Sequence, residues 1–261
     1  MIILAVLRTI GRAFLSALAT IGHLTLFTAT ALLHCVKPPY YWRLLGRQMV
    51  DIGYYSLPVV GLTAIFTGMV LALQSSTGFT RGGAGEFAIP NIVVISITRE
   101  LGPVLAGLMV AGRIGAAIAA EIGTMRVTEQ IDALTTLSTN PMNYLLAPRL
   151  IAGLLMLPLL VLAGDSIGVF GGYLVSTYKL GFNPAAYIRN TVDFVETLDV
   201  VSGLVKASIF GFIVTLMGCY HGYHSRGGAQ GVGAATTNAV VSACILILIF
   251  DYVLTELFFT K

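Results

Sequence analysis

Long apolar runs separated by short polar segments dominate the hydropathy pattern of this chain. A helix rises about 1.5 Å per residue, so about 20 apolar residues cross a hydrocarbon core of about 30 Å. The pattern therefore predicts an all-α polytopic membrane protein with five transmembrane helices in a single domain over residues 1–261. The five runs lie at about residues 52–73, 89–120, 150–178, 200–220 and 235–258. Between them the pattern predicts a loop at 75–86, a loop at 179–199 with Asn183-Pro184 as a turn, and a glycine-rich connection at 221–233.

Residues 1–47 are predicted to form an N-terminal interfacial region ahead of a five-span core at 48–261. The apolar stretch at 13–36 carries His23, His34 and four threonines, so hydropathy leaves open whether it crosses the membrane. Basic residues flank the stretch on both sides, and the positive-inside tendency keeps both flanks in the cytoplasm. We interpret the stretch as an interfacial or re-entrant helix.

The positions of Lys and Arg orient the five predicted spans. With a cytoplasmic N-terminus, nine of these residues fall in cytoplasmic segments and four fall outside, which predicts an external C-terminus. The cytoplasmic residues are Arg8, Arg12, Lys37, Arg43, Arg47, Arg113, Arg126, Arg149 and Arg226, and the external ones are Arg81, Lys179, Arg189 and Lys261.

The amino-acid composition mainly excludes classes of protein. The chain is 56% hydrophobic and 10% charged, with a mean hydropathy of +0.87, which excludes a soluble globular domain. A net charge of +3 without a basic run gives no basis for nucleic-acid binding. The chain has no Walker A pattern, so any ATP hydrolysis that drives it must occur in a separate subunit.

The charged segment at 121–137 lies between the second and third runs and reads EIGTMRVTEQIDALTTL. On an α-helix its acidic residues Glu121, Glu129 and Asp132 share a sector of about 80°, and its apolar residues gather on the other side. The segment is therefore predicted to be a short cytoplasmic helix with one face on the membrane domain. The other face is free to meet a soluble partner.

Charged residues also fall inside the predicted spans. Arg99 and Glu100 are adjacent in the second span and point about 100° apart on a helix, so each needs another partner. Lys206 lies at a matching depth in the fourth span, which predicts a Glu100–Lys206 pair. The pair is either a structural ion pair or part of a polar lining that receives a charged headgroup. Asp165 and Asp251 are interpreted as hydrogen-bonded to nearby hydroxyl groups, with a proton relay as the alternative.

Other patterns have weaker implications. Gly164, Gly168 and Gly172 repeat every fourth residue, which lets another helix approach closely, from the same chain or from a second copy. His221 and His224 have the spacing of helical metal ligands, but no neighbouring Cys or carboxylate completes a site, so no metal is expected.

One stretch resembles a known family. The run GRIGAAIAAEIGTMRVTEQIDAL at 112–134 closely resembles the signature of the MlaE/YrbE permeases, the membrane subunits of ABC transporters that move phospholipids between bacterial membranes. The segments TRELGPVLAGLMVAGR, GMVLALQ and FDYVLTELFF are similar to the same family, and the resemblance covers nearly the whole chain.

This resemblance implies an assembly. It implies a homodimer at the centre of a complex with two ABC ATPase subunits, a STAS-domain protein and a periplasmic hexamer of MCE-domain subunits. ATP and Mg would be bound by the ATPase, and the permease would have no cofactor of its own. The segment at 121–137 becomes the coupling helix that docks on the ATPase, with contacts expected from Glu121, Met125, Arg126, Glu129, Gln130 and Asp132. A lipid pocket between protomers is expected near Arg99, Glu100, Lys206, Leu71 and Gln74.

The resemblance thus implies a non-catalytic permease subunit that moves phospholipids between the inner membrane of a Gram-negative bacterium and a periplasmic partner, maintaining the lipid asymmetry of the outer membrane. A proton-coupled secondary transporter of an amphiphilic substrate is the alternative, but five spans do not divide into the inverted repeats typical of that class. An enzyme acting on lipid within the membrane would need a nucleophile with its base or a metal cluster, and the sequence offers neither.

Overall fold

A computed structural model describes residues 2–79 and 85–259, and no strand occurs among them. Short π-helical stretches at Ser96–Leu101 and Ala111–Gly115 join three α-helices into one continuous helix over 85–127. A third π-helical stretch, Met142–Leu146, leads into the α-helix that begins at Ala147. The α-helices are α1 Ile2–Val36, α2 Trp42–Ile52, α3 Leu57–Phe79, α4 Gly85–Ile95, α5 Gly102–Val110, α6 Ala116–Val127, α7 Gln130–Thr136, α8 Ala147–Tyr178, α9 Pro184–Phe194, α10 Thr197–Tyr223 and α11 Gly228–Phe259.

Six helical segments of the described chain are long and apolar enough to cross a membrane. Five of them contain the predicted spans, so the expectation of an all-α polytopic membrane protein is confirmed. The sixth is the Phe14–Val36 part of α1, which qualifies by length and composition. An interfacial position of α1 stays a prediction.

The bundle packs around α8, which contacts α2, α3, α5 and α10, while α10 also packs against α6 and α11. Glycine lets these backbones approach closely. A methyl group built on Gly68 of α3 would lie 1.8 Å from the carbonyl oxygen of Gly168, and one built on Gly211 of α10 would lie 2.1 Å from that of Gly153. Lipid tails provide no hydrophobic force between helices, so membrane helices associate largely through van der Waals packing, and small residues allow the close approach that this packing needs.

The glycine-rich face of α8 is occupied by helices of the same chain. Gly164 faces Val60 and Ala64, Gly168 faces Ala64 and Ile97, and Gly172 lies against Val93 and Tyr187. Of the two partners that the sequence left open for these glycines, the structure shows the intrachain one.

Three predicted segment boundaries are wrong. The loop expected at 179–199 contains α9, because Asn183 caps its N-terminus by accepting a hydrogen bond from Ala185 N at 3.0 Å and Pro184 begins the helix. The glycine-rich connection expected at 221–233 shortens to 224–227, since α10 and α11 extend into it. The loop expected at 75–86 is helical up to Phe79, and its residues 80–84 lie outside the described residues.

The predicted coupling helix at 121–137 is not one helix. Its first seven residues continue the long second span as the end of α6, and Thr128 and Glu129 form a turn before α7. Glu129 adopts a left-handed conformation with φ of 60°, which breaks the helical path. Ile131 is buried in the core, as the apolar side of the amphipathic pattern predicts.

Candidate functional site

A cluster of charged side chains lies between α10, α11 and the π-helical stretch Ser96–Leu101. We call it the ion network, and its members are Arg99, Glu100, Asp199, Lys206, Asp251 and Thr255. π-Helical turns inside α-helices occur frequently at functional sites because they change the direction of side chains within one turn. The network therefore joins three spans through groups that are costly to bury unpaired.

Arg99 and Asp199 form one half of the ion network. The guanidinium donates from Nε to Asp199 Oδ1 at 2.6 Å, and Asp199 is only 1% exposed. The Asp199 Oδ2 atom also accepts from the backbone N–H of Glu196 in a capping box at the start of α10. Arg99 further lies 4.3 Å above the centre of the Phe259 ring, a favourable cation–π distance. These contacts fix the plane of the guanidinium.

Lys206 forms the other half and has a side chain with no solvent exposure. Its ammonium group donates to Glu100 Oε2 at 2.8 Å, to Thr255 Oγ1 at 2.7 Å and to the carbonyl oxygen of Arg99 at 3.1 Å. Asp251 Oδ1 lies 3.1 Å from the same nitrogen as a second counterion. The predicted Glu100–Lys206 pair is confirmed.

The ion network contains more acidic than basic groups. Two cations, Arg99 and Lys206, face the three carboxyl groups of Glu100, Asp199 and Asp251. The Glu100 side chain is 37% exposed, whereas its partner Lys206 is enclosed. The most accessible charges are thus Glu100 and the 28% exposed Arg99, followed by the 20% exposed Asp251, while Lys206 and Asp199 hold them in position.

Leu71 and Gln74, expected near the same pocket, lie on α3. Leu71 packs against the small apolar cluster of Ala72, Ile89, Val93 and Ile97, and Gln74 is exposed. Neither takes part in the hydrogen bonds and ion pairs of the ion network recorded for the described residues. Ile97 connects the two regions, since it precedes Arg99 in the same π-helical stretch.

The other charged surface lies at the opposite end of the long second span. Arg126 and Asp132 form an ion pair of 2.7 Å that bridges the turn between α6 and α7. Glu129, Gln130 and Asp132 are exposed. Glu121 instead pairs with the buried Arg149 of α8 at 2.8 Å, and Met125 is half-buried beside it. The six residues expected on one docking surface therefore divide between an exposed turn and a wall of the bundle.

The comparison with protein families decides which kind of membrane protein this is. The family model described as "Permease MlaE" matches residues 45–257, which is most of the chain. The chain belongs to the MlaE permease family.

Relatives from distant organisms agree with this assignment. A probable ABC transporter permease protein of Rickettsia bellii is 56% identical over 98% of this chain and 99% of its own length. The intermembrane phospholipid transport system permease protein MlaE of Haemophilus influenzae is 35% identical over 84% of each chain. The chloroplastic protein TRIGALACTOSYLDIACYLGLYCEROL 1 of Arabidopsis thaliana is 38% identical over 87% of this chain and 65% of its own length. The chain is a permease subunit and a multi-pass membrane protein.

Three members of the permease's ion network were missed from the sequence. Asp199 falls in the loop predicted at 179–199, although Glu196 and Asp199 have the spacing of a capping box. Asp251 was expected to bond a hydroxyl group, but it faces the Lys206 ammonium. Thr255 lies one helical turn beyond Asp251, on the same face of α11, and that spacing was the available signal.

Asp165 and the two histidines His221 and His224 lie outside the ion network of the permease. Asp165 is buried against Gly102, and its Oδ1 atom has no hydrogen-bond partner among the described residues. His221 Nε2 is hydrogen-bonded with Ser242 at 3.0 Å, and His224 Nδ1 with the carbonyl oxygen of Tyr220 at 2.8 Å. The described residues contain no group of three or more His, Cys, Asp or Glu that could hold a metal ion.

Proposed function

We propose that the permease moves phospholipids between the inner membrane of a Gram-negative bacterium and a periplasmic partner, and that a separate ABC ATPase drives the movement. The observation that carries this proposal is the likeness to the Haemophilus protein, whose name states intermembrane phospholipid transport, over 84% of both chains. The Arabidopsis relative, whose name refers to a galactolipid, also points to a lipid cargo.

The assembly proposed here is a permease homodimer with two ATPase subunits that bind ATP and Mg, a STAS-domain protein held through the ATPase, and a periplasmic MCE-domain hexamer. Lipid passes between the inner membrane and the MCE hexamer, and this transport maintains the lipid asymmetry of the outer membrane. The permease itself performs no catalysis and holds no cofactor.

In the proposed mechanism the ion network meets the lipid headgroup. Arg99 supplies a cation for the phosphate and Glu100 an anion for an amine, because these are the more exposed cation and the most exposed carboxyl group of the network. The enclosed Lys206 keeps Glu100 oriented by a charge-assisted hydrogen bond. Leu71 and Gln74 line the apolar side of the same path.

The turn between α6 and α7 is the proposed ATPase contact. Glu129, Gln130 and Asp132 project from it, and Arg126 fixes it through the ion pair with Asp132. The turn is continuous with the second span, which carries Arg99 and Glu100. When ATP binding moves the turn, the long helix can transmit that movement to Arg99 and Glu100, which contact the lipid headgroup. Such a movement can change the side of the membrane from which the headgroup site is accessible.

The first experiment is affinity purification of the chain from its native membrane in mild detergent, followed by mass spectrometry of the proteins and lipids that accompany it. We expect an ABC ATPase, an MCE-domain protein and phospholipid. A chain that purifies without an ATPase, and that moves an amphiphile in proteoliposomes under a proton gradient alone, would contradict the proposal and favour a proton-coupled secondary transporter.

The coupling surface has a matched control. The double variant Glu129→Gln/Asp132→Asn removes two exposed charges from the turn, and we expect it to lose most of the ATPase that co-purifies. The variant Asp193→Asn/Glu256→Gln removes two exposed acidic charges from the opposite end of the bundle and should retain the ATPase. Equal ATPase retention by both variants would place the contact elsewhere.

A further inference from the structure

A polar cavity lies at the end of the bundle opposite the ion network. It has a volume of about 360 Å³ and is bordered by α2, the end of α6, the π-helical stretch Met142–Leu146 and the start of α8. We call it the Arg149 cavity. It is far larger than the space of one water molecule, about 30 Å³. Its charged lining residues are Arg47, Asp51, Glu121 and Arg149.

Arg149 is the unusual group in this cavity. Its side chain is only 4% exposed, and its Nη2 atom pairs with Glu121 Oε1 at 2.8 Å. The other terminal nitrogen, Nη1, has no hydrogen-bond partner among the described residues. A buried guanidinium donor without an acceptor is costly, and most buried polar groups in proteins are satisfied. Arg149 lines the cavity, so its buried guanidinium places a fixed positive charge at the cavity wall.

The charges around Arg149 narrow the class of ligand. Arg47 adds a second guanidinium to the cavity wall, while Asp51 and Glu121 add two carboxylates. Glu121 pairs with Arg149 through Oε1, whereas no ion pair of Asp51 is recorded among the described residues, so Asp51 is the acid left for a ligand. A guanidinium binds phosphate through two parallel N–H groups, and a carboxylate binds an ammonium group. The lining therefore matches a ligand that carries a phosphate and an amine together.

A second cavity adjoins the first and is mainly apolar. It has a volume of about 300 Å³, shares Pro148 with the Arg149 cavity, and is lined by Trp42, Leu45, Ile151 and Leu155 among others. The Tyr41 and Tyr144 rings, one from each lining, meet edge to face with centroids 5.1 Å apart. Tyr40, Tyr41 and Trp42 form an aromatic belt of the type that marks the headgroup level of a membrane.

We propose that the Arg149 cavity binds the zwitterionic headgroup of a membrane phospholipid, with one acyl chain in the adjoining apolar cavity. The phosphate lies against Arg149 and Arg47, and the amine lies against Asp51. This site is distinct from the ion network, and it holds a lipid of the membrane leaflet at the α7 end of the bundle. Its occupancy does not depend on which cargo the permease moves.

The only tryptophan in the sequence, Trp42, is a built-in reporter for this site because it lines the apolar cavity. The experiment titrates the full chain in detergent with phosphatidylethanolamine that carries brominated acyl chains, which quench tryptophan fluorescence on contact. Brominated diacylglycerol, which has the same chains and no phosphate, serves as the matched ligand. We expect saturable quenching with an affinity at least about tenfold higher for the phospholipid, equivalent to about 1.4 kcal/mol.

Variants separate the headgroup site from general lipid contact. Arg47→Gln is the main variant, since Arg47 is exposed and its change leaves the buried Arg149–Glu121 pair intact. It should remove most of the tenfold preference, as should Arg149→Gln if that protein folds. Arg43→Gln is the control, because Arg43 is an exposed arginine of the same helix outside the cavity lining, and it should keep the preference.

Several outcomes would overturn the proposal. Equal quenching by both brominated lipids, or equal losses in Arg47→Gln and Arg43→Gln, would mean that Trp42 reports only general lipid contact. Displacement of the brominated phospholipid by an equal concentration of inorganic phosphate would assign the cavity to a free anion. Quenching that disappears when the co-purified ATPase is bound would assign the cavity to a protein contact. None of these results would alter the proposed transport function.

Discussion

At the scale of single residues, Lys206 determines how the charged groups of the bundle are arranged. One ammonium group on α10 connects the stretch carrying Arg99 and Glu100 with Asp251 and Thr255 on α11. The net stability of a buried ion pair is small, because desolvation of both charges offsets their attraction. Removing one partner is different, since it leaves the other charge buried and unpaired.

We therefore expect Lys206→Met to lower the free energy of unfolding by about 3–5 kcal/mol, because Glu100 and Asp251 lose their shared counterion. Titration with SDS in mixed micelles measures this quantity. Lys179→Met removes an exposed lysine at the same end of the bundle and should change it by less than about 0.5 kcal/mol. If the two variants were equally stable, the ion network would have no structural role.

At the scale of helices, the contact between α3 and α8 depends on glycine. Gly68→Ala would bring a methyl group 1.8 Å from the carbonyl oxygen of Gly168, so the helices must move apart. We expect a loss of about 1–3 kcal/mol, measured by the same SDS titration. Gly112→Ala, with nothing within 4 Å of the added methyl group, is the control and should be neutral or stabilising. A destabilised control with an unaffected Gly68→Ala would contradict this packing.

The turn between α6 and α7 allows the ATPase contact to be separated from folding. Glu129 has a φ of 60°, a conformation that costs an L-residue about 1–2 kcal/mol and glycine almost nothing. Glu129→Gly should therefore keep or raise the melting temperature while it lowers the amount of ATPase that co-purifies. Glu129→Val should lower the melting temperature, because a β-branched side chain fits this conformation poorly. The opposite order of stabilities would show that the turn has another backbone conformation.

At the scale of the whole molecule, the position of α1 relative to the membrane can be measured. In a variant whose three native cysteines are replaced, an impermeant maleimide should label Lys179→Cys in intact cells but not Thr136→Cys. We expect Arg12→Cys and Lys37→Cys, at the two ends of the apolar part of α1, to be protected alike because both flanks are cytoplasmic. Labelling of one and not the other would show that α1 crosses the membrane.

The sequence identified the five main spans because each needs only length and hydropathy, which are local properties. It did not reveal α9, because Asn183 and Pro184 also fit a turn, whereas in the structure they are the cap and first residue of a helix. It also treated 121–137 as one helix, since nothing in the amphipathic pattern reveals the left-handed Glu129. Helix continuity and interruption depend on single dihedral angles that hydropathy does not record.

The contacts of the ion network could also be predicted only in part from the sequence. Matching depths in two spans predicted the Glu100–Lys206 pair, which is a property of position along each helix. Depth did not reveal that Asp199 pairs with Arg99, or that Asp251 and Thr255 face Lys206, because those contacts depend on how each helix is rotated about its axis. Rotation is set by packing against neighbours.

The sequence by itself thus determined the class of molecule, since an apolar helix must satisfy its backbone internally wherever lipid surrounds it. It determined which positions carry intramembrane charge and, through a long signature, the family. Only the tertiary structure decided that the glycine-rich face of α8 meets α3 and α4 of its own chain, and that Arg149 lies buried beside a polar cavity. Both are outcomes of packing between segments distant in sequence, and no local pattern specifies such contacts.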